Sequence, residues 1–332
     1  MTEVPGAWCP LALPHAEVSG NRVLCRGETV EESGHAPGSV ARLLARCDGS
    51  RPLDGFTAAE RSLLGTWQRD GLVVMAPGGP PDRAAPDAPV VVSPHPDDAA
   101  LALGGLLARR GGRVLDVFSV ETWTKDPYYA GRPDLTSRLL LAEEAVAARV
   151  LGTEVELLGF VDAADRALRA ERFFAGTALS DTFPDEEPGL FAELTTRLAG
   201  LLEGAAEICA PLGVGGHVDH LACREAVIAL LARGDITGAR VVFYEDQPYS
   251  VFGSAEEVAR GLAARLASLG LGALRPELCP MDATAALAKR EALRAYRIQV
   301  RQGVVRRIAR HGERLAEHSG HPAAERIWPL VS

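Results

Sequence analysis

The chain has 332 residues, 47% of them hydrophobic, with 34 Gly, 22 Pro and a formal charge of −9. That length is enough for one large domain, or a medium one with a small appendage. The acidic balance, with only Lys125 and Lys289 beside the arginines, argues against a nucleic-acid partner. Six cysteines without a CxxC pair exclude a zinc ribbon and a disulfide framework. There is no basic-then-apolar leader, and no apolar run approaches about 20 residues, so a soluble, cytoplasmic protein away from membranes is expected.

In chain order, Pro5, Pro10 and Pro14 mark the first dozen residues as an irregular arm. Asn21–Thr29 reads as a short strand and 38–47 as a helix with Ser39 at its N-cap. Asp48-Gly49 is a turn signal. Thr57–Asp70 is a second helix, with Thr57 and Glu60 in capping-box spacing, and Leu72–Met75 begins another strand. The result is a small winged-helix-like α+β domain over residues 1–75, followed by a Pro/Gly/Ala/Asp-rich linker over 76–88. Residues 1–80 carry seven Arg against nine Asp or Glu, the wrong balance for a DNA-binding winged helix.

Residues 89–332 alternate strand and helix. Strands are expected at Val90–Val92, Arg113–Val120, Glu154–Gly159, 206–210 and Ala239–Tyr244. Helices are expected at Ala99–Arg110, Ser137–Leu151, 189–203, Asp219–Arg233, 255–269 and 282–302. The loop 121–136 carries Trp123, Tyr128 and Arg132, which would line a pocket, and the long segment 160–188 could shape one. This order predicts an α/β fold: a Rossmann-like, mostly parallel sheet with helices on both faces. The C-terminal His311, His318 and His321 read as solvated, Lys289 as a structural ion-pair partner, and Glu245 or Asp246 as a substrate or loop contact.

Two turns carry the chemistry. The apolar run Val90–Val92 ends in Ser93-Pro94, and His95, Asp97 and Asp98 follow within four positions. A helix cap would need only one of them. The second turn, PLGVGGHVDH over 211–220, also follows a strand and sets His217 three residues before His220, on one face of a helical turn. Open α/β sheets build sites at the carboxyl ends of their strands, so both turns should meet at one rim. A catalytic zinc commonly takes three nitrogen or oxygen ligands and leaves a position for water; His95, Asp98 and His220 would give such a set. Asp97 could then deprotonate the attacking water. His217 could face the reacting carbonyl as an imidazolium, with Asp219 orienting it and raising its pKa.

SPHPDDAALALGG and GVGGHVDH resemble the two signature motifs of the PIG-L/LmbE-like zinc-dependent de-N-acetylases. The resemblance covers about residues 89–302 and includes Arg138, the run EAVAARVLG ending at Gly152, LGFVD ending at Asp162, and Lys289, Tyr296 and Gln299 of a late helix. It implies zinc, or another divalent ion such as Fe2+, on His95, Asp98 and His220. It also implies Asp97 as base, His217 as electrostatic or acid residue, and Asp162 against substrate hydroxyls. The chain departs from the family at Ala99, where Glu is usual, at Val218, where Pro is usual, and in the residues that precede the first motif. Over 22–74, ARLLARCDGSRPLDGF and LLGTWQRDGLV resemble PqqD-like modules, which implies a leader-peptide or carrier partner; a packing or dimerisation appendage competes with it. The leading expectation is therefore hydrolysis of an amide on an amino sugar or small natural product. An amidase for a thiol-conjugate or a peptide held by the N-terminal module, and a non-catalytic binding protein on the same fold, are the competing readings.

Overall fold

The computed structural model describes residues 7–20, 22–31, 38–78, 85, 87–166 and 187–331. The N-terminal part comprises β1 (Cys9–Ala12), β2 (Ala16–Ser19), β3 (Arg22–Cys25), β4 (Glu28–Glu31), α1 (Ser39–Ala45), α2 (Ala58–Asp70) and β5 (Val73–Ala76). Contrary to the expected irregular arm, Cys9–Ala12 is a strand, paired antiparallel with β5. The single strand expected over 21–29 is a hairpin, because Arg26 and Gly27 both take positive φ (55° and 73°) and turn the chain between β3 and β4. Gly38, with φ 71°, sits at the cap of α1 in place of Ser39. The Thr57–Glu60 capping box of α2 is present as read. Of the expected linker, residues 79–84 and 86 lie outside the described residues.

β6 (Val90–Ser93), α3 (Asp98–Arg110), β7 (Arg113–Asp116), α4 (Pro133–Leu151), β8 (Glu154–Leu157), α5 (Pro188–Leu202), β9 (Glu207–Pro211), α6 (Val218–Arg233) and β10 (Arg240–Tyr244) form the α/β body. Residues 167–186, most of the segment expected to shape a pocket, lie outside the described residues. The five strands run parallel in the order β10–β9–β6–β7–β8. Val91, Val92, Ile208 and Val242 are fully buried, as a sheet covered on both faces requires. The strand order reverses at β6, whose neighbours are β7 on one side and β9 on the other.

The later chain is less helical than expected. It holds α7 (Tyr249–Phe252), α8 (Ala255–Ser268), β11 (Ala273–Leu274), β12 (Glu277–Met281), α9 (Ala283–Ala295), α10 (Gln302–Leu315) and β13 (Ala323–Val331). β13 adds antiparallel to β10 and also pairs with β11 and β12. The helix expected over 282–302 ends at Ala295, and a non-helical crossing segment, 296–301, intervenes before α10 begins. His311 is mostly buried, 3.5 Å from Glu245, and so is not solvated as expected.

Lys289 does serve an ion pair. Helix α3 departs from helical geometry at Leu103, and the backbone N–H groups of Gly105 and Leu106 donate to the Glu325 carboxylate of β13 at 2.7 and 2.9 Å. Lys289 Nζ lies 2.6 Å from the same carboxylate. Gly105 is required there, since a Cβ would come within 2.0 Å of Met281 Sδ. Glu325→Ala would strand the buried Lys289 charge and two backbone donors. The expected cost is about 3–5 kcal/mol in chemical denaturation, and an unchanged midpoint would refute the role.

Candidate active site

Parallel pairing of β6 with β9 brings the two polar turns together at the carboxyl ends of adjacent strands, where the sheet order reverses. In the first turn the Ser93 Oγ donates to the His95 carbonyl and accepts from the Ala99 N–H, and Asp98 Oδ2 accepts from the His95 N–H at 3.0 Å. Asp97 is held at φ 112°, an uncommon conformation for a residue with a side chain, and lines the cleft. In the second turn a Cβ on Gly215, whose φ is 88°, would meet the Tyr249 ring at 2.6 Å, so only Gly lets the loop approach α7 this closely.

The donors converge. Asp98 Oδ2 lies 3.1 Å from His95 Nδ1 and 3.2 Å from His220 Nε2. Ligand atoms of His95, His217 and His220 lie within 4.8 Å of one another, as do those of His95, Asp162, His217 and Asp219. The outer nitrogens have carboxylate partners: His220 Nδ1 is 2.6 Å from Asp246 Oδ1, and His95 Nε2 is 2.9 Å from Asp162 and 3.2 Å from Asp219. Asp246 is itself fixed by the N–H groups of Gly213 and Val214. Buried histidines backed by carboxylates, around one shared carboxylate oxygen, suit a divalent cation.

Electrostatics follow from this crowding. Burial disfavours the His95 cation, but hydrogen bonds to Asp162, Asp219 and Asp98 raise its pKa well above the usual imidazole value. Burial likewise opposes a charge on His220, yet Asp98 and Asp246 push it up to about 9. Against its own desolvation, the Asp98 carboxyl is held well below the ordinary range by His220 and His95. Asp97 goes the other way, pushed up by burial and then by the Asp98 and Glu121 charges. For His217, burial and then the His95 and His220 charges bring the pKa down to about 3, which favours a neutral ring and not the expected imidazolium. Its Nδ1 accepts the Asp219 N–H at 3.3 Å, capping α6, so the neutral ring carries its proton on Nε2. The Asp219 carboxylate meets His95, the Ala163 N–H and, at 2.6 Å, Arg166.

The cleft, of about 420 Å3, is lined by both turns together with Trp123, Asp162 and Tyr249. Arg132 and Tyr128 are not among its lining residues; the Arg132 guanidinium lies 4.4 Å over the Tyr128 ring. Glu245 turns away to Arg326 and Trp328, and Asp246 backs His220. Sequence reasoning missed Glu121, which lies a few residues past the end of β7 (Asp116) and directly after the isolated Val120–Val161 bridge, and Arg166. Glu121 is buried in the cleft, pushed up to about 8 by desolvation against the pull of His95, and accepts from Gln299 Nε2. At Ala99 the missing carboxylate leaves a buried methyl, while Glu144 of α4 reaches the same turn, accepting from the Asp97 backbone and, at 2.5 Å, from Tyr296 Oη.

With this geometry in view, the family model described as PIG-L: GlcNAc-PI de-N-acetylase matches residues 90–231, which hold both turns. A 2'-N-acetylparomamine deacetylase of Streptomyces fradiae is 33% identical over 259 residues, spanning 72% of this chain and 88% of that protein. The chain belongs to the PIG-L/LmbE-like de-N-acetylase family. Crystal structures share the fold. The zinc inhibited form of teicoplanin deacetylase has a TM-score of 0.56 at 22% identity, covering 74% of this chain and 98% of its own. The A40926 pseudoaglycone deacetylase has a TM-score of 0.52 at the same identity and coverage. The PIG-L match stops before Tyr249 and Gln299, so part of the cleft wall in this family member is built outside the matched segment. No helix among the described residues is long and apolar enough to cross a membrane.

Proposed function

We propose that this protein is a metal-dependent amidohydrolase that removes an acetyl or related acyl group from the amine of an amino sugar or similar natural product. The observation that carries the reading is the meeting of His95, Asp97, Asp98, His217 and His220 in one cleft at the sheet's reversal point. His95, Asp98 and His220 would hold zinc or another divalent ion such as Fe2+, and the ion when bound would polarise the amide carbonyl and acidify water. Asp97, half-buried in the cleft beside Asp98, accepts the proton of the attacking water at its carboxylate. The His217 Nε2–H donates to the carbonyl oxygen as negative charge builds on it, a neutral donor fixed in advance by the Asp219 N–H. Asp219 and Arg166 act one step back: the Asp219 carboxylate orients His95, and Arg166 compensates its charge. The proton taken up by Asp97 returns to the departing nitrogen, which leaves as an amine.

For the substrate, Asp162 and Glu121 place acceptors in the cleft and Trp123 offers an aromatic face at its rim, a combination suited to hydroxyls and sugar-ring C–H surface. The 33% identical paromamine-type deacetylase supports this class. The test is to load the protein with Zn2+ or Fe2+ and incubate it with N-acetylated amino sugars and aminoglycoside precursors, reading products by mass. Loss of one acetyl group from at least one of them is the expected result. Metal-loaded protein that cleaves no N-acyl amine would overturn the proposal.

A further inference from the structure

Four features of the N-terminal part bear on one place in the α/β body, the loop 121–132 and the crossing segment 296–301. At the β3–β4 turn, Arg26 Nε lies 2.9 Å from Asp126 Oδ2. The Tyr128 ring lies over neighbouring Gly27, where a Cβ would be 3.4 Å from Cε2 and Oη. Between β1 and β2, buried His15 sets Nε2 2.9 Å from Glu143 of α4 and Nδ1 3.4 Å from Tyr129 Oη. At the end of α2, the Arg297 guanidinium lies close against Gly71.

These contacts continue into the cleft. Glu143 Oε1 accepts the N–H groups of Arg297 and Ile298 at 2.9 and 3.1 Å. The Ile298 carbonyl then accepts Lys125 N–H at 3.3 Å and Thr124 Oγ1 at 3.2 Å. Gln299 Nε2 donates to the Trp123 carbonyl and to Glu121. Asp126, which receives Arg26, also caps the loop by accepting the Tyr128 N–H at 3.0 Å. Trp123 and Lys125, the rim residues between these anchors, line the cleft, with Lys125 Nζ 5.0 Å over the Trp123 ring.

Turn chemistry supplies a second, independent observation. A two-residue hairpin loop with both φ values positive favours Asn-Gly or Gly-Gly. Here the first position is Arg26, at φ 55°, an unfavourable conformation for a long side chain. Residues held in such conformations concentrate where a specific contact depends on them, and here that contact is the Arg26–Asp126 pair.

We infer that the N-terminal part braces one wall of the substrate cleft from behind: Arg26 and His15 are positioning residues that hold loop 121–132 and so set where Trp123 and Lys125 meet the substrate. The inference rests on the hydrolytic reading above for its kinetic arm only. It also accounts for the shared core, in which Trp67, Leu72 and Val74 pack in one cluster with Leu293 and Tyr296, and for Glu291 of α9 accepting both Gln68 Nε2 (2.8 Å) and the Met75 N–H (3.0 Å). These bonds tie the N-terminal part to the body over a broad face.

The test uses the full chain with Arg26→Ala, Arg26→Lys and His15→Gln. Arg26 is partly exposed, so Arg26→Ala is the variant that folds if His15→Gln does not. Hydrogen exchange needs no substrate: amides of 121–132 and 296–301 are expected to exchange at least tenfold faster in Arg26→Ala and near wild-type rates in Arg26→Lys, with the melting temperature unchanged. With the best substrate from the mass panel, Arg26→Ala is expected to raise KM five- to twentyfold with kcat within twofold, and Arg26→Lys to restore KM. Unchanged exchange in Arg26→Ala would overturn the inference whether or not any substrate is cleaved. So would faster exchange with wild-type KM, since the loop's position would then not set substrate binding.

Discussion

Asp97→Asn is expected to bind metal as the native protein does and to lose on the order of 10²–10⁴-fold in kcat. The substitution preserves size and hydrogen-bonding shape but removes the group that takes the water proton. It is also mild on the backbone. Asp97 sits at φ 112°, a positive value that Asn tolerates at least as well as Asp, so loss of turnover would not come from relaxation of the turn. Asp98, which caps the same turn by accepting the His95 N–H, remains in place. Single-turnover rates on the best substrate of the mass panel, with metal content measured on the same sample, check the expectation. Native turnover in Asp97→Asn would remove Asp97 as the base and move that role to another carboxylate of the cleft.

His220→Ala is expected to lower metal occupancy and abolish measurable turnover together. His220 presents Nε2 3.2 Å from Asp98 Oδ2 and is buried, with Nδ1 committed to Asp246. Loss of an outer partner of a metal site typically costs about 10–100-fold in affinity, and loss of a ligand itself should cost more. Deleting the imidazole would also leave Asp246 facing a void, although the N–H groups of Gly213 and Val214 still satisfy one of its oxygens. Elemental analysis after dialysis against a defined free-metal buffer gives the result directly. Full occupancy in His220→Ala would refute the ligand assignment and favour the alternative cluster of His95, Asp162, His217 and Asp219. Chelation of the native protein should likewise abolish activity, and readdition of Zn2+ or Fe2+ should restore it.

Local signals in the chain reached far for the two motif turns. Val90–Val92 announces a doubly buried strand, and His95, Asp97 and Asp98 overload the turn after it. Glycines before His217 announce a close-packed loop, and the strand–helix alternation says that both turns face the same rim. The Thr57–Glu60 box and the Lys289 ion pair were also legible, because each depends on short-range chemistry or on the cost of burying a charge. Other features were not. β13 was hidden because AAERIWPLV mixes small, charged and apolar residues, and its partners β10, β11 and β12 are distant in sequence. The hairpin at Arg26 was hidden because its turn places Arg where Asn or Gly is usual.

The order of chemistry-bearing residues along the chain was thus enough to define the fold class, the shared rim and the five residues that meet there, since each lies within a few positions of a strand end. The reversal of strand order at β6 came only from the folded sheet. Tertiary packing alone assigned their partners. It gave Asp246 to His220 and the Asp219 carboxylate to His95, set burial and the neighbouring imidazoles to lower the His217 pKa, brought Glu121 together with Gln299, and laid the N-terminal part against loop 121–132. The physical reason is that strand ends and caps are set by neighbours in sequence. Burial, charge pairing and hydrogen-bond partners are set by residues tens to hundreds of positions apart, such as His15 and Glu143, and become visible only when the chain is folded.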